Sequence, residues 1–429
     1  MFLKPSFFKK TIFIYFLLLA PFASLAQDNS YLDPYIEKDE NKKKIPIVLG
    51  GSNSVSAQLQ EDALIRRQLF GISHLDNALK PWFDFKSYIN NKYGLNIGID
   101  YTVLYQRASE SMGDDQAAGG IFGFYGTWTL LGRETSYPGS LIFLVENRHK
   151  LGTNIAPQLL GLEVGYLGST GTLFIDAGWV VPTLYWQQLF NDGHMGFAVG
   201  RIDPNNFIDI SGYENPLTNF QNSAILGNAT IPIPNPGLGV VGVSYLPDQW
   251  YIFLGLFDSN GKLDDVNFTT FFEEVDYFKY GEIGWTPSLE ENLNKNIHLS
   301  VWHADESDKS GVDDSWGITG SAIWLFNDRW MPFFRVGWSD GEAPLMNKAL
   351  NIGITYYLTS RADQWGAGIA WGDPSDHTLR DQTTTELFYR IQLTQGLAIT
   401  PSLQWIIEPA LNPDEDDLWV IGIRVRFNM

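Results

Sequence analysis

The 429-residue chain contains no cysteine. Its absence excludes disulfides and a lipid-anchored cysteine. After residue 26 no stretch approaches the ~20 apolar residues of a transmembrane helix, and mean hydropathy is only −0.12. Histidine is scarce, with six copies scattered and unpaired. No nucleophile elbow, no His-Glu-x-x-His and no phosphate loop occurs. His298 and Ser300 stand two apart, but no acid partner for a triad is recognisable, so no enzyme is expected. No EF-hand loop is present, and no cofactor or metal is expected. Basic residues are outnumbered 29 to 49, and the net charge of −20 argues against nucleic acid.

What is present is alternation. From Tyr93 to Phe427 the chain reads as about sixteen short stretches, each near the ~9–11 residues that a tilted strand needs to cross a bilayer. In the last stretch Trp419, Ile421, Ile423, Val425 and Phe427 share one face, and Val420, Gly422, Arg424 and Arg426 the other. Strands are expected at roughly 93–106, 120–132, 140–150, 172–185, 194–202, 238–246, 250–258, 278–286, 296–304, 315–326, 330–338, 348–358, 364–372, 384–394, 397–407 and 418–427. One strand cannot tell a membrane wall from a soluble sandwich, but the linkers can. Pro247-Asp248, Asn327-Asp328, Thr359-Ser360-Arg361 and Gln395-Gly396 are tight turns. The intervening linkers 107–119, 151–171, 203–237, 259–277, 305–314 and 408–417 are long. Short periplasmic turns and long external loops are the habit of outer-membrane barrels. The expected fold is therefore all-β: a transmembrane antiparallel up-and-down β-barrel of about sixteen strands over residues 93–429, with a short helical N-terminal segment.

The beginning of the chain gives the compartment. Lys4, Lys9 and Lys10 precede an apolar run from Thr11 to Ala20, and Ser24-Leu25-Ala26 supplies small residues for cleavage after Ala26. Export plus a barrel implies the outer membrane of a Gram-negative bacterium, with its lipid and lipopolysaccharide as surroundings. Residues 27–92 are expected in the periplasm. The first half is polar, with a charged run from Glu37 to Lys44, and reads as disordered. In the second half Leu75, Leu79, Trp82, Phe83, Phe85, Tyr88 and Ile89 suggest one or two amphipathic helices packing at the periplasmic mouth. A partial plug is the sharper alternative for this segment. Aromatics near strand ends, Trp128, Trp285, Trp324, Trp330, Trp338, Trp365 and Trp419 among them, are expected to form interfacial girdles.

Three segments carry a family likeness. Ala198-Val-Gly-Arg-Ile-Asp-Pro-Asn-Asn-Phe207, Pro234-Asn-Pro-Gly-Leu-Gly239 and Gln395-Gly-Leu-Ala-Ile-Thr-Pro-Ser-Leu-Gln404 resemble the carbohydrate-selective (OprB-like) porins. The likeness continues from Asn412 to Phe427. It implies a sixteen-stranded barrel that passes small sugars by facilitated diffusion, and it leaves a homotrimer open as the assembly. Two departures stand out. Phe70-Gly-Ile-Ser-His74 replaces an Asp-Trp-Gly-Gly-like element, and Asn428 and Met429 follow the aromatic Phe427.

The long linker from Asp203 to Gly237 ends in Ile231-Pro-Ile-Pro-Asn-Pro-Gly237, which would stiffen it. It is expected to fold into the barrel. Alternation assigns Asp100, Gln106, Glu146, Arg148, Asp176, Glu282, His298, Ser300, Trp302, Arg335, Asn351, Glu386, Arg390, Gln392, Gln404, Arg424 and Arg426 to the lumen. Sugar hydroxyls take charge-assisted hydrogen bonds and sugar ring faces take aromatics. The expected pore-lining set is Glu146, Arg148, Glu282, Trp302, Arg335, Glu386 and Arg390. Glu146 with Arg148 and Glu386 with Arg390 can equally be structural pairs. Arg201 and Asp203 join the set on the expectation that a bulge at Gly200 turns Arg201 inward to pair with Asp203. The acidic external loops suit divalent bridging to lipopolysaccharide phosphates. The chain reads as a passive, carbohydrate-preferring pore. The alternatives are a general or anion-preferring pore and, third, a non-conducting barrel enzyme or adhesin.

Overall fold

The computed structural model describes residues 49–63, 73–307, 311–359 and 362–429. The leader, the run from Glu37 to Lys44, Phe70–Ile72, Asp308 and the Ser360-Arg361 turn lie outside the described residues, as does the side chain of Leu75. Sixteen antiparallel strands close into one barrel in sequence order, with β1 hydrogen-bonded to β16. They are β1 (Leu95–Ala108), β2 (Gln116–Leu131), β3 (Gly139–Lys150), β4 (Gly178–Phe190), β5 (Met195–Ile202), β6 (Gly237–Tyr245), β7 (Trp250–Asp258) and β8 (Tyr277–Trp285). The second half comprises β9 (Lys295–Ala304), β10 (Ser315–Trp324), β11 (Trp330–Asp340), β12 (Met346–Thr359), β13 (Asp363–Pro374), β14 (Gln382–Gln392), β15 (Leu397–Ile407) and β16 (Asp417–Asn428).

Burial is inverted relative to a water-soluble protein. Leu254, Val301 and Ile421 are 61%, 53% and 55% exposed, whereas Arg335 and Arg424 are each 2% exposed. The alternate face is what decides this: apolar residues point to lipid and polar ones to the interior. Aromatics ring both ends of the wall. At the short-turn end Trp285 stacks on Trp324 at 5.9 Å, and Trp330 meets Tyr356 at 4.2 Å. At the long-loop end Trp316 packs on Trp338 at 5.0 Å and Trp405 stacks on Trp419 at 5.1 Å.

The short turns arise from backbone chemistry. Asn327 and Asp328 both adopt positive φ, 50° and 55°. That is the mirror-image turn that matches strand twist. The three longest helices among the described residues are α1 (Val55–Asp62), α2 (Ser73–Tyr93) and α3 (Pro157–Glu163). Helix α2 holds the aromatics read as amphipathic. It stops at Gly94, φ 72°, whose N–H returns to Asn90 O at 2.9 Å and which leads directly into β1.

Three expectations are corrected. Strand β4 begins at Gly178 and not near residue 172, because Leu173 (φ 75°) and Gly178 (φ 69°) break the extended chain. Asp176 therefore lies in a loop, half-exposed and 3.7 Å from Lys150, and not on a strand face. The end of the half read as disordered is ordered: Ser54 caps a helix that starts at Val55 and packs against inward residues of the wall.

Candidate functional site

The connection from β5 to β6, residues 203–236, folds into the barrel. We call it the inward loop. Its apolar residues supply the first hold. Phe207, Ile208 and Ile231 pack with Tyr185, Phe253 and Phe278, while Tyr213, Phe220, Ile225 and Leu226 pack with Met331, Phe333 and Phe388. Tyr213 stacks on Phe333 at 3.8 Å.

Polar groups of the wall then satisfy the loop backbone, since unpaired amides there would be costly. Arg335 on β11 donates to Leu226 O and to Asp209 O, both at 2.5 Å. It also contacts Asp209 Oδ2 at 3.2 Å, donates to Glu214 Oε1, and lies 5.1 Å from the Tyr213 ring centre. Asp209 Oδ1 receives His298 Nε2 at 2.7 Å and Ser321 Oγ at 2.5 Å. Glu386 on β14 accepts the amides of Gln221 at 2.9 Å and Asn222 at 2.8 Å. Arg424 on β16 donates to Pro216 O at 2.5 Å and Asn219 O at 2.9 Å. Asn351 on β12 donates to Ile225 O at 2.8 Å. The loop is thus pinned from β9 round to β16.

Two acids share Arg335, and they divide its influence unequally. Burial alone would raise Asp209, but the Arg335 guanidinium and the His298 hydrogen bond outweigh it and hold its carboxyl below the usual range. At Glu214 burial wins and pushes the group up to about 8 against the pull of Arg335. A raised carboxyl stabilises the fold fully below its unfolded value, and that contribution is lost as pH rises through about 8. Open-channel current noise is expected to grow across roughly pH 6 to 9 as Glu214 ionises and loosens the loop. Glu214→Gln should flatten that profile in planar bilayers; superimposable profiles would rule the group out as the cause.

A second external connection also turns inward, and alternation gave no sign of it. Residues 151–177 carry α3 and brace the inward loop. Ser223 N–H donates to Ser169 O at 2.9 Å, Thr172 Oγ1 to Gln221 O at 2.8 Å, and Tyr166 OH to Asn222 Oδ1 at 2.8 Å. Gln106 and Gln404 both donate to Thr170 O, at 2.6 and 2.7 Å. The signal lay in the glycines of 161–171, of which Gly165 and Gly168 adopt φ 79° and 155°.

The remaining expected residues divide into two groups. Glu146 and Arg148 on β3 form a buried pair at 2.6 Å on the inner wall. Arg390 lies inward on β14 and donates to Gln392 Oε1 at 2.8 Å. With Arg424 and Arg426 it makes a basic stripe on the inner faces of β14 and β16. Glu386 gives its carboxylate to the loop amides. Glu282 accepts Tyr251 OH at 2.6 Å and Tyr280 OH at 2.5 Å. Trp302 is inward but buried against Phe278 at 5.9 Å, so its face is covered by protein.

Arg201 and Asp203 are corrected. Arg201 is fully buried and faces backbone, donating to Val181 O at 2.6 Å and to Lys262 O. Gly200, φ 142°, does turn the chain there, but it brings Arg201 under the 259–276 loop. Asp203 caps the next turn, accepting Asn205 N at 3.1 Å.

The interior also holds α1. Asp62 accepts Tyr125 OH at 2.5 Å and Asn428 Nδ2 at 2.9 Å, and lies 3.3 Å from Arg426. Sequence reasoning placed no residue of this helix in the site, because its eight positions are mostly polar and carry no long apolar stripe.

Residues 305–429 match the family model described as carbohydrate-selective porin, OprB family. No curated protein sequence matches the chain. Among solved structures the fold is similar to Pseudomonas putida OprB at high pH, with TM-score 0.66 and 15% identity over 81% of this chain and 97% of that one. It is also similar to an engineered variant of Rh. blastica porin, with TM-score 0.50 and 11% identity over 78% of this chain and all of the other.

Proposed function

From a porin-type barrel whose residues 305–429 match the carbohydrate-selective porin family, we propose a passive outer-membrane diffusion pore that prefers small sugars. The observation that carries the reading is the inward loop. It spans the lumen and is fastened by charged and amide groups from several strands. A loop held so narrows the bore without moving parts, which suits facilitated diffusion. Export by cleavage after Ala26 and residence among lipopolysaccharide in a Gram-negative outer membrane belong to the same reading, as does assembly as a homotrimer.

A narrowed path lined by fixed donors and acceptors can exchange water for sugar hydroxyls. Glu146, Arg148 and Arg390 present such groups on the wall. Conduction requires this binding to be weak enough for release. The test is single-channel current in planar bilayers while glucose, maltose and a longer oligosaccharide are titrated. Saturable block by a sugar is the expected result. Current indifferent to every sugar would leave a general pore.

The anion-preferring reading has one observation in its favour, the neighbouring inward arginines Arg390 and Arg424. Reversal potentials in a salt gradient distinguish it. Anion preference together with no sugar block would favour that second reading over the first.

A further inference from the structure

We infer that α1 is a resident constriction element inside the barrel, and that Asp62 is the positioning residue that latches it across the path. The inference rests on the diffusion-pore reading above and deepens it.

Helix α1 is only eight residues long, too short to be stable alone. Docking must hold it. Val55 and Leu59 are buried with Tyr125, Ile142, Leu144 and Tyr185, all on the wall. Both ends are tied, and to different things. Upstream, the chain is bonded to the inward loop: Gly51 N–H donates to Asn206 O at 2.7 Å, Asn53 Nδ2 to Glu214 O at 3.2 Å, and Asn215 Nδ2 to Ser52 O at 3.2 Å. Gly51 sits so close to the loop that a Cβ there would lie 3.0 Å from Ile210. Downstream, Asp62 is held by β2 through Tyr125 and by β16 through Arg426 and Asn428. The helix therefore bridges the inward loop and the barrel seam, and a helix with its side chains is about 10–12 Å across. A solute passing the inward loop must also pass α1.

The latch can be released without dismantling the wall. Arg426 has a second acid, with Nε 3.1 Å from Asp100 Oδ2, so losing Asp62 does not strand its charge. Asn428 keeps its backbone bond to Gly396 O at 2.8 Å. Asp62→Ala thus removes three contacts from the helix and spares the strand pairing.

The test uses the full-length chain in plain salt. Asp62→Ala should raise single-channel conductance about two-fold, as an element of helix width leaves the bore, and admit longer oligosaccharides in liposome swelling. Asp62→Glu, which keeps the carboxylate, should stay near the parent. Because the chain has no cysteine, Gln58→Cys offers a single thiol on α1, where Gln58 is buried. An impermeant thiol reagent should label it slowly in the parent and about ten-fold faster beside Asp62→Ala, a ratio equal to one RT ln 10 step in exposure. Asn53→Ala removes one of the upstream ties without touching a side chain of the inward loop, and is expected to shift the same readouts in the same direction if the first variant does not assemble. Unchanged conductance and size limit, or wider conductance with Gln58→Cys still protected, would overturn the inference. Sugar block of the parent reports on the pore reading alone, so the two ideas fail separately.

Discussion

Arg335→Met should cost about 3–5 kcal/mol of stability, the range for removing one partner from a buried ion pair, and should widen the pore at the same time. Methionine is apolar and flexible enough to fill much of the space. What it cannot do is satisfy what Arg335 leaves behind. Asp209 would sit buried without its cation, Glu214 would lose a hydrogen-bond donor, and the carbonyls of Leu226 and Asp209 would lose theirs. The loop can relieve this only by lifting off the wall. Two readouts should move together: the melting temperature of the folded barrel falls, and sugar block weakens as conductance grows. A variant that is less stable but conducts and blocks like the parent would show that Arg335 serves packing and not the constriction. Adding Asp209→Asn should recover part of the lost stability by removing one stranded charge, because neighbouring sites couple.

The second large effect lies on the opposite face. Leu299 points outward at the middle of β9 and is half exposed. An arginine on the lipid face at mid-membrane costs ~2–4 kcal/mol, whereas one at the interface costs ~0–1 kcal/mol. Leu299→Arg should therefore lower folding stability in lipid vesicles by several-fold more than Trp330→Arg, which sits in the girdle at the short-turn end. Equal penalties at the two depths would mean that the exposed apolar belt does not face hydrocarbon. In detergent, where head groups reach closer, the difference should shrink.

The wall was legible because its code is local. Period-two alternation names the lumen side of β16 from Arg424 and Arg426 alone, and Asn327-Asp328 names its own turn. The inward loop announced itself by length and prolines. The fold of its contents was not legible, since those contacts are long-range and chemically ordinary. Asn222 bonds to Gln404 across 182 positions, and neither residue is distinctive. Phe174 looked like a strand residue, yet it is buried with Leu104, Ile121 and Leu217 where a loop tucks inward. Arg201 defeated alternation differently. By parity with Phe197 and Val199 it belongs outside, but it lies at the strand end, where a loop covers it. Parity stops being informative once a strand leaves the bilayer.

The seam between β1 and β16 has a temporal meaning. The groups that Asp62 joins to β16 are 364 and 366 positions away, and pairings of such sequence separation form late because much chain must be ordered first. Ile99 and Met429 complete the join by exchanging two backbone bonds, at 2.9 and 2.8 Å. Until that happens β1 and β16 are naked edges, prone to pair with a neighbouring molecule. The binding place of Asp62 does not exist before closure, because two of its three partners are contributed by the final strand. The helix can settle only in a finished ring. Asn428 on the last strand thereby ties the docking of α1 to ring closure.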